Sequence, residues 1–404
     1  MEGLADIPPH VRADQVVDFD VYAPEGFERD FHGAWYRLHV PGVPDMVWTP
    51  RNGGHWIATR GPLIETLYAD HEHFSSRVRM VPRALYENVR MIPETLDPPE
   101  HRPYRQLLNG ALAPSRVMRL EPVIRGLATA LVEGVAPRGG CEFVDEIAHI
   151  FPVHIFLGLC ELPLQDADAL RRIAGHVTRP DGTMTPAEGY QALRDYLVPF
   201  VAERRRDQGQ DLLSAIVNGD LGAKPIGVDE GLAMAAQVLL GGLDTVANML
   251  GFVQLFLARD AGAQQALAAE PTLIPRAVEE LLRRYAMLFL GREVTRDMDF
   301  HGTILKRGDM VIMPTQLHGA DEGENDRPLA VDFRRETVSH CTFGRGSHRC
   351  PGAHLARLEM RILIEEWLRL IPDFRIAGDA PIRFEAGIMG SVSRLPLAWA
   401  WAAR

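Results

Sequence analysis

The chain is short of most things that would make it a secreted, metal-stapled or nucleic-acid-binding protein. Only four cysteines (Cys141, Cys160, Cys341 and Cys350) occur in 404 residues, and no two form a C-x-x-C pair. That scarcity argues against a disulfide framework and leaves no obvious zinc or iron–sulfur site of the chain's own; it suits a reducing compartment. Positive charge is in deficit. Forty-three Lys and Arg face 54 Asp and Glu, a net charge of -11, which speaks against nucleic acid bound through phosphate neutralisation. Residues 1–20 hold neither an apolar run nor a basic flank, so no signal peptide or membrane anchor is expected and the cytoplasm is the expected location. Repeats, low-complexity tracts, linkers and a glycine-rich dinucleotide fingerprint are also missing.

What is present is ample apolar content, 46%, enough for one large core. Apolar periodicity predicts helices over about 61–70, 114–135, 145–160, 186–206 and 275–285. A further helix starts at Asp97-Pro98-Pro99-Glu100, with Asp97 as its expected N-cap. The longest pattern, 229–260, is apolar on nearly every face and should cross the interior. Strands are expected at 46–49 and 55–59 around an Asn52-Gly53-Gly54 turn, at 299–304 and 310–314, and as an edge strand at 395–401. Residues 75–91 show no clean period and read as a long loop of the kind that forms lids or binding segments. The fold class is therefore mainly α with a minor β portion (about 45–60, 295–318 and 380–404) in a single domain, 1–404.

The most informative stretch is Phe343–Gly352, F-G-R-G-S-H-R-C-P-G. Gly344 and Gly346 permit backbone angles that let amides turn inward, and a helical pattern begins after Gly352. Cys350 stands at that helix start, where the dipole favours a thiolate. A thiolate in a nest of amides beside a large aromatic, Phe343, is what a haem iron needs as a strong axial donor. A lone cysteine is more often a small buried hydrophobe, so the spacing carries the weight here.

Two other groups stand out. Gly241-Gly242-Leu243-Asp244-Thr245 sets two glycines inside the core helix, each costing about 1 kcal/mol against alanine. Either something large passes close to the backbone or the helix opens locally. Asp244 and Thr245 then place an acid and an alcohol beside the gap, able to pass protons, or Thr245 simply bonds a preceding carbonyl. Glu280 and Arg283 pair three apart on a helix.

The ten-residue loop resembles the haem-binding loop of cytochrome P-450 monooxygenases. Gly241–Thr245 resembles that family's oxygen-activation motif, and Glu280 with Arg283 its buried structural Glu-x-x-Arg pair, with Arg335 as a third member. Together with Asp97–Glu100, Ser339-His340 and Ile371–Phe374, they resemble bacterial camphor hydroxylases over most of the chain from about His55. The resemblance implies the P-450 fold, a helix-rich prism with haem b between the long central helix and the cysteine loop. It implies Cys350 as axial ligand, with Phe343, Gly344, Gly352, Gly241 and Gly242 around the cofactor and His101, Arg105, Arg292 and His348 on its propionates.

The resemblance also implies Asp244 and Thr245 as catalytic residues and a dioxygen-dependent monooxygenase. Its electrons would come from NAD(P)H through a flavin-containing ferredoxin reductase and an iron–sulfur ferredoxin. Arg102, Arg105, Arg345, Arg349 and Arg357 (with Arg361 beyond) would form the docking face. The implied pocket is Met80, Val89, Met91, Gln237, Leu240, Leu288 and Met389. Camphor itself is not the expected substrate, because Val89 stands where those enzymes carry a ketone-binding tyrosine, and Leu290 replaces an aspartate. A soft, methionine-rich lining favours another small alicyclic molecule, a terpenoid or norisoprenoid. A peroxide-driven peroxygenase and a non-catalytic haem sensor are the alternatives, and a monomer that binds neither membrane nor nucleic acid is expected.

Overall fold

The computed structural model describes residues 4–401, apart from 181, 223 and 379. Helices dominate, and the best-specified among them is Pro186–Arg206. Its Thr185 hydroxyl accepts from the Glu188 amide at 3.2 Å while the Glu188 carboxylate accepts from the Thr185 amide at 2.8 Å. Pro186 opens the first turn and Arg204, Arg205 and Arg206 close the last, where cations meet the negative end of the dipole. This helix packs on Ala167–Thr178 and on the central segment.

The central segment runs Val228–Leu243 and then Thr245–Arg259, interrupted at Asp244 with φ -131° and ψ -27°. By length and composition Val228–Arg259 could span a bilayer, yet 72% of its most apolar window is buried inside the fold. It is a core helix, opened locally at the expected place. Ala353–Leu370 packs against Glu121–Val135, and Arg125 ties the seam by reaching Glu365 and Glu366, each at 2.7 Å.

The principal sheet has five strands in the order Met46–Thr49, His55–Ala58, Met310–Pro314, Phe289–Val294, Phe74–Ser75. Only the His55–Ala58/Met310–Pro314 pair is parallel. The first hairpin turns through Asn52, Gly53 and Gly54, all at positive φ, and a side chain at Gly54 would overlap the Trp48 ring.

Several sequence expectations change. Residues 299–304 are the turn and arms of a hairpin, Met298–Phe300 with Thr303–Leu305. Pro396–Ala398 is the middle strand of a three-stranded sheet, flanked by Gly140–Glu142 and Arg375–Ile376, and so is not an edge. Asp97 does not cap the helix His101–Ala111. Its carboxylate accepts from the Ser75 hydroxyl and, at 2.8 Å, from the Ser76 amide, pinning the preceding loop instead. That loop contains a helical turn, Arg83–Tyr86.

Glu280 and Arg283 are both fully enclosed on the helix Ile274–Arg284, joined by two 2.8 Å hydrogen bonds. Arg283 also donates to the Pro328 carbonyl at 2.6 Å, and Arg335 reaches Glu280 at 3.0 Å. Every charge in this group is partnered, which is the condition for burying it. Removing one partner leaves the other stranded. We expect Arg283→Met to lower unfolding free energy by about 3–5 kcal/mol, measured by denaturant titration, with Arg335→Met costing less because its guanidinium reaches more solvent.

Candidate active site

Gly344 and Gly346 adopt φ of +65° and +66°, conformations open to few side chains. Gly346 is doubly constrained, since a Cβ there would lie 3.0 Å from the Tyr68 carbonyl oxygen. The loop folds back so that the Cys350 amide donates to the Phe343 carbonyl at 2.8 Å and the Gly344 amide to Cys341 at 2.7 Å. Arg357 lies over the Phe343 ring, 4.5 Å from its centroid, and holds Glu279 at 2.9 Å. Cys350 faces a cavity of about 310 Å³. Burial raises its thiol pKa, and the Gly352 amide and Arg105 only partly oppose that.

Across the cavity lies the opening in the central helix. Gly241, Gly242 and Thr245 line it, and the Thr245 hydroxyl donates to the Gly241 carbonyl at 2.9 Å. The two glycines have different reasons. A Cβ on Gly241 would meet nothing within 4 Å, whereas one on Gly242 would overlap the Phe156 ring. Asp244 turns away from the cavity into a cationic clamp, 2.8 Å from Arg179 and 3.7 Å from Arg171. Burial pushes its carboxyl pKa up, but the two guanidinium charges outweigh burial and leave it below the ordinary value. The acid and the alcohol are neighbours in sequence that face different surroundings.

The four expected propionate contacts converge. His101, Arg105 and His348 line the cavity, with the two imidazoles 4.3 Å apart. Arg292 lies behind them over the Tyr68 ring. Burial followed by the charge of Arg79 lowers the Arg292 pKa to about 9, and burial with the charges of Arg105 and Arg79 lowers that of His101 to about 4. Nε2 of His101, Nε2 of His348 and Nη2 of Arg292 are buried without a hydrogen-bond partner. Orphaned donors among like charges, facing a cavity with a sulfur on one wall and bare glycine on another, suit a flat dianionic cofactor with a thiolate-binding metal.

Among the seven expected pocket residues, Gln237, Leu288 and Met389 line the cavity; Met80, Val89, Met91 and Leu240 are buried in the surrounding core without lining it. Of the arginines expected on one face, Arg345 pairs with Glu65, and Arg357 with Glu279. Arg361 pairs with Glu121 at 2.8 Å. Glu65, His318 and Cys341 converge within 4.8 Å, and Arg345 supplies the cation there. Arg105 donates to the Arg349 carbonyl and belongs to the cavity. Arg102 and Arg349 have no ion pair among the described residues.

Residues that sequence reasoning missed are Arg79, Glu94, Phe156 and Glu359, all on the cavity wall. Arg79 and Glu94 lie in or just after an aperiodic loop, where no spacing marks them. Glu359 is buried on Ala353–Leu370, where burial holds its carboxyl neutral well above its usual range.

Comparison with known proteins decides the family. A relative described as probable cytochrome P450 127A1, from Sinorhizobium fredii, is 34% identical over 98% of this chain and 97% of its own length. The chain belongs to the cytochrome P450 family. The family's own profile, "Cytochrome P450", matches residues 187–371. Cytochrome P450(BM-1) of Priestia megaterium is 32% identical over 84% of this P450 and 87% of its own length. Among solved structures, CYP101J2 superposes with a TM-score of 0.90 at 43% identity and CYP101C1 with 0.90 at 40%, each over 98% of this chain and all of the other. The P450 fold and haem as the family's cofactor follow.

Two outcomes test the helix opening. Gly242→Ala should lower the thermal midpoint, because Phe156 must move, whereas Gly241→Ala should raise or preserve it, since alanine gains up to about 1 kcal/mol of helix propensity. The Asp244 clamp predicts a pH signature. A carboxyl held below its ordinary pKa adds stability that is complete above the unfolded value, about 4, and is lost as pH falls further. The difference in unfolding free energy between wild type and Asp244→Asn should therefore be full at pH 6 and shrink on titration from pH 4 to pH 3.

Proposed function

We propose that this P450 is a haem-thiolate monooxygenase in which Cys350 would hold the haem iron, hydroxylating a small hydrophobic alicyclic molecule. The observation that carries this reading is the shared cavity: Cys350 on one wall, Thr245 and Gly241 on the opposite wall, and at the edge arginines with two imidazoles whose Nε2 atoms lack partners. Haem, when bound, supplies the iron at which dioxygen is reduced and split. His101, Arg105, Arg292 and His348 would hold its propionates, and Phe343, Gly344 and Gly352 would shape the space around the sulfur.

The chain's own part is positioning and proton handling. Gly241, lacking a side chain, leaves room beside the opened helix. Thr245 keeps its hydroxyl at the cavity surface while donating to Gly241, so it is placed to hold a water or a small polar ligand there. Asp244 is ionised within its clamp and exchanges protons with the cavity only when Arg179 lets go. Leu288, Met389 and their apolar neighbours exclude water and grip a hydrocarbon skeleton.

Electrons would come from NAD(P)H through a flavin reductase and an acidic iron–sulfur ferredoxin, in the cytoplasm, to a monomer whose single domain spans 1–404. The arginines left for docking are Arg102 and Arg349, a narrower patch than the sequence suggested. Relatives include steroid C26-monooxygenases of Mycobacterium tuberculosis, 30% identical over 72% of this chain, so the family accommodates varied substrates.

Two measurements test the proposal. Cys350→Ser should abolish the carbon monoxide absorption band typical of thiolate-ligated reduced haem. Thr245→Ala should cut product formed per dioxygen consumed several-fold while reduced nicotinamide is still oxidised. Turnover by peroxide alone at the ferredoxin-supported rate would instead favour the peroxygenase.

A further inference from the structure

One corner of the cavity is polar, and nothing in the proposed mechanism uses it. Glu94, buried except for about a quarter of its side chain, lies 2.6 Å from the guanidinium of Arg79, itself 5% exposed. The Gln237 amide on the central helix donates to the other Glu94 oxygen. All three residues line the cavity. They bridge the central helix and the loop between Arg79 and Asp97, and the cavity's apolar lining includes Leu288, Met389, Val246 and Phe156.

The valences left over are mostly acceptors, with one buried donor, Arg79 Nε, also without a partner. A carboxylate accepts at roughly four lone-pair positions, and here one oxygen serves Arg79 and the other Gln237. Gln237 Oε1 is buried without a partner. The corner therefore presents acceptors in want of a donor. A ketone or ether could accept from Arg79 Nε but has no proton for Gln237 or Glu94, which costs affinity, whereas a hydroxyl serves both. The ligand's donor should also be uncharged. Glu94 is already balanced by Arg79, and the guanidinium groups of Arg105 and Arg292 lie near enough to repel an ammonium group.

We infer that Glu94 and Gln237 form a hydroxyl-recognition subsite, and that the substrate is an alicyclic alcohol held by its O–H. This deepens the monooxygenase reading and rests on it. In that arrangement Arg79 is a positioning residue: it fixes the Glu94 carboxylate from the side facing the cofactor cradle.

The test uses the haem-loaded full chain and three probes with one carbon skeleton: borneol (alcohol), camphor (ketone) and bornane (hydrocarbon). Dissociation constants come from titrating the Soret shift. Borneol should bind about tenfold or more tighter than camphor, the value of one hydrogen bond to a charged acceptor. Glu94→Leu and Gln237→Leu should each shrink that preference several-fold while leaving bornane affinity within about twofold, and Glu94→Gln should retain part of it. Equal binding of borneol and camphor by the wild type would overturn the subsite. So would a parallel loss for all three probes, the mark of a merely structural role. Borneol failing to bind while reduced protein shows the thiolate band with carbon monoxide would overturn the subsite alone; absence of that band would overturn the haem reading beneath it.

Discussion

The arrangement depends on an imbalance of charge in a place that excludes water. Arg79, His101 and Arg105 of one helix, and His348 end at one cavity with Arg292 behind them, and Glu94 is the acidic partner among them. Burial strips hydration and the neighbouring guanidinium charges oppose a further proton, which is why both imidazoles and Arg292 have depressed pKa values. Such a site is tolerable only if the surroundings are rigid, and they are. The five-stranded sheet holds Arg292 in register opposite Val311, and the Glu280–Arg283–Arg335 group locks the segment leading to the cysteine loop. An anionic cofactor discharges the imbalance, so binding energy and fold stability are one quantity here.

The two walls of the cavity are made by different means. The cysteine wall is a loop forced into shape by two left-handed glycines and clamped by backbone hydrogen bonds, with Arg357 stacked behind Phe343. The opposite wall is a helix that would be continuous but for the turn at Asp244. There the main-chain ladder lapses and the Thr245 side chain makes good one of the freed carbonyls. Asp244 is drawn outward by two arginines at the same point, so the interruption is fixed from both sides.

Much of this was legible in the sequence because local chemistry and global position agreed. Pro186–Arg206 announces itself through its capping box, leading proline and terminal arginines, and the cysteine loop through glycine spacing. What escaped detection was decided by contacts distant in sequence. Phe289–Val294 is buried on both faces and includes an arginine, so it lacks the alternation that marks a strand. Arg79 and Glu94 are separated by a loop with no period, and only the folded chain joins them. Asp244 and Thr245 are adjacent in sequence, which says nothing of their facing different ways. Met80, Val89 and Met91 share the expected loop, but its helical turn at Arg83–Tyr86 carries them into the core beside the cavity.

The clamp on Asp244 has neighbours that matter. Arg179 directly follows Thr178, whose carbonyl accepts from the Ile388 amide at 3.1 Å. Ile388 in turn accepts from Phe289, and Leu288 pairs with Met389 in an isolated bridge. Two side chains that line the cavity are thus a few covalent and hydrogen bonds from the guanidinium restraining the acid. Cavity wall and carboxylate clamp therefore share one short run of backbone, with Thr178 and Ile388 as its common joint.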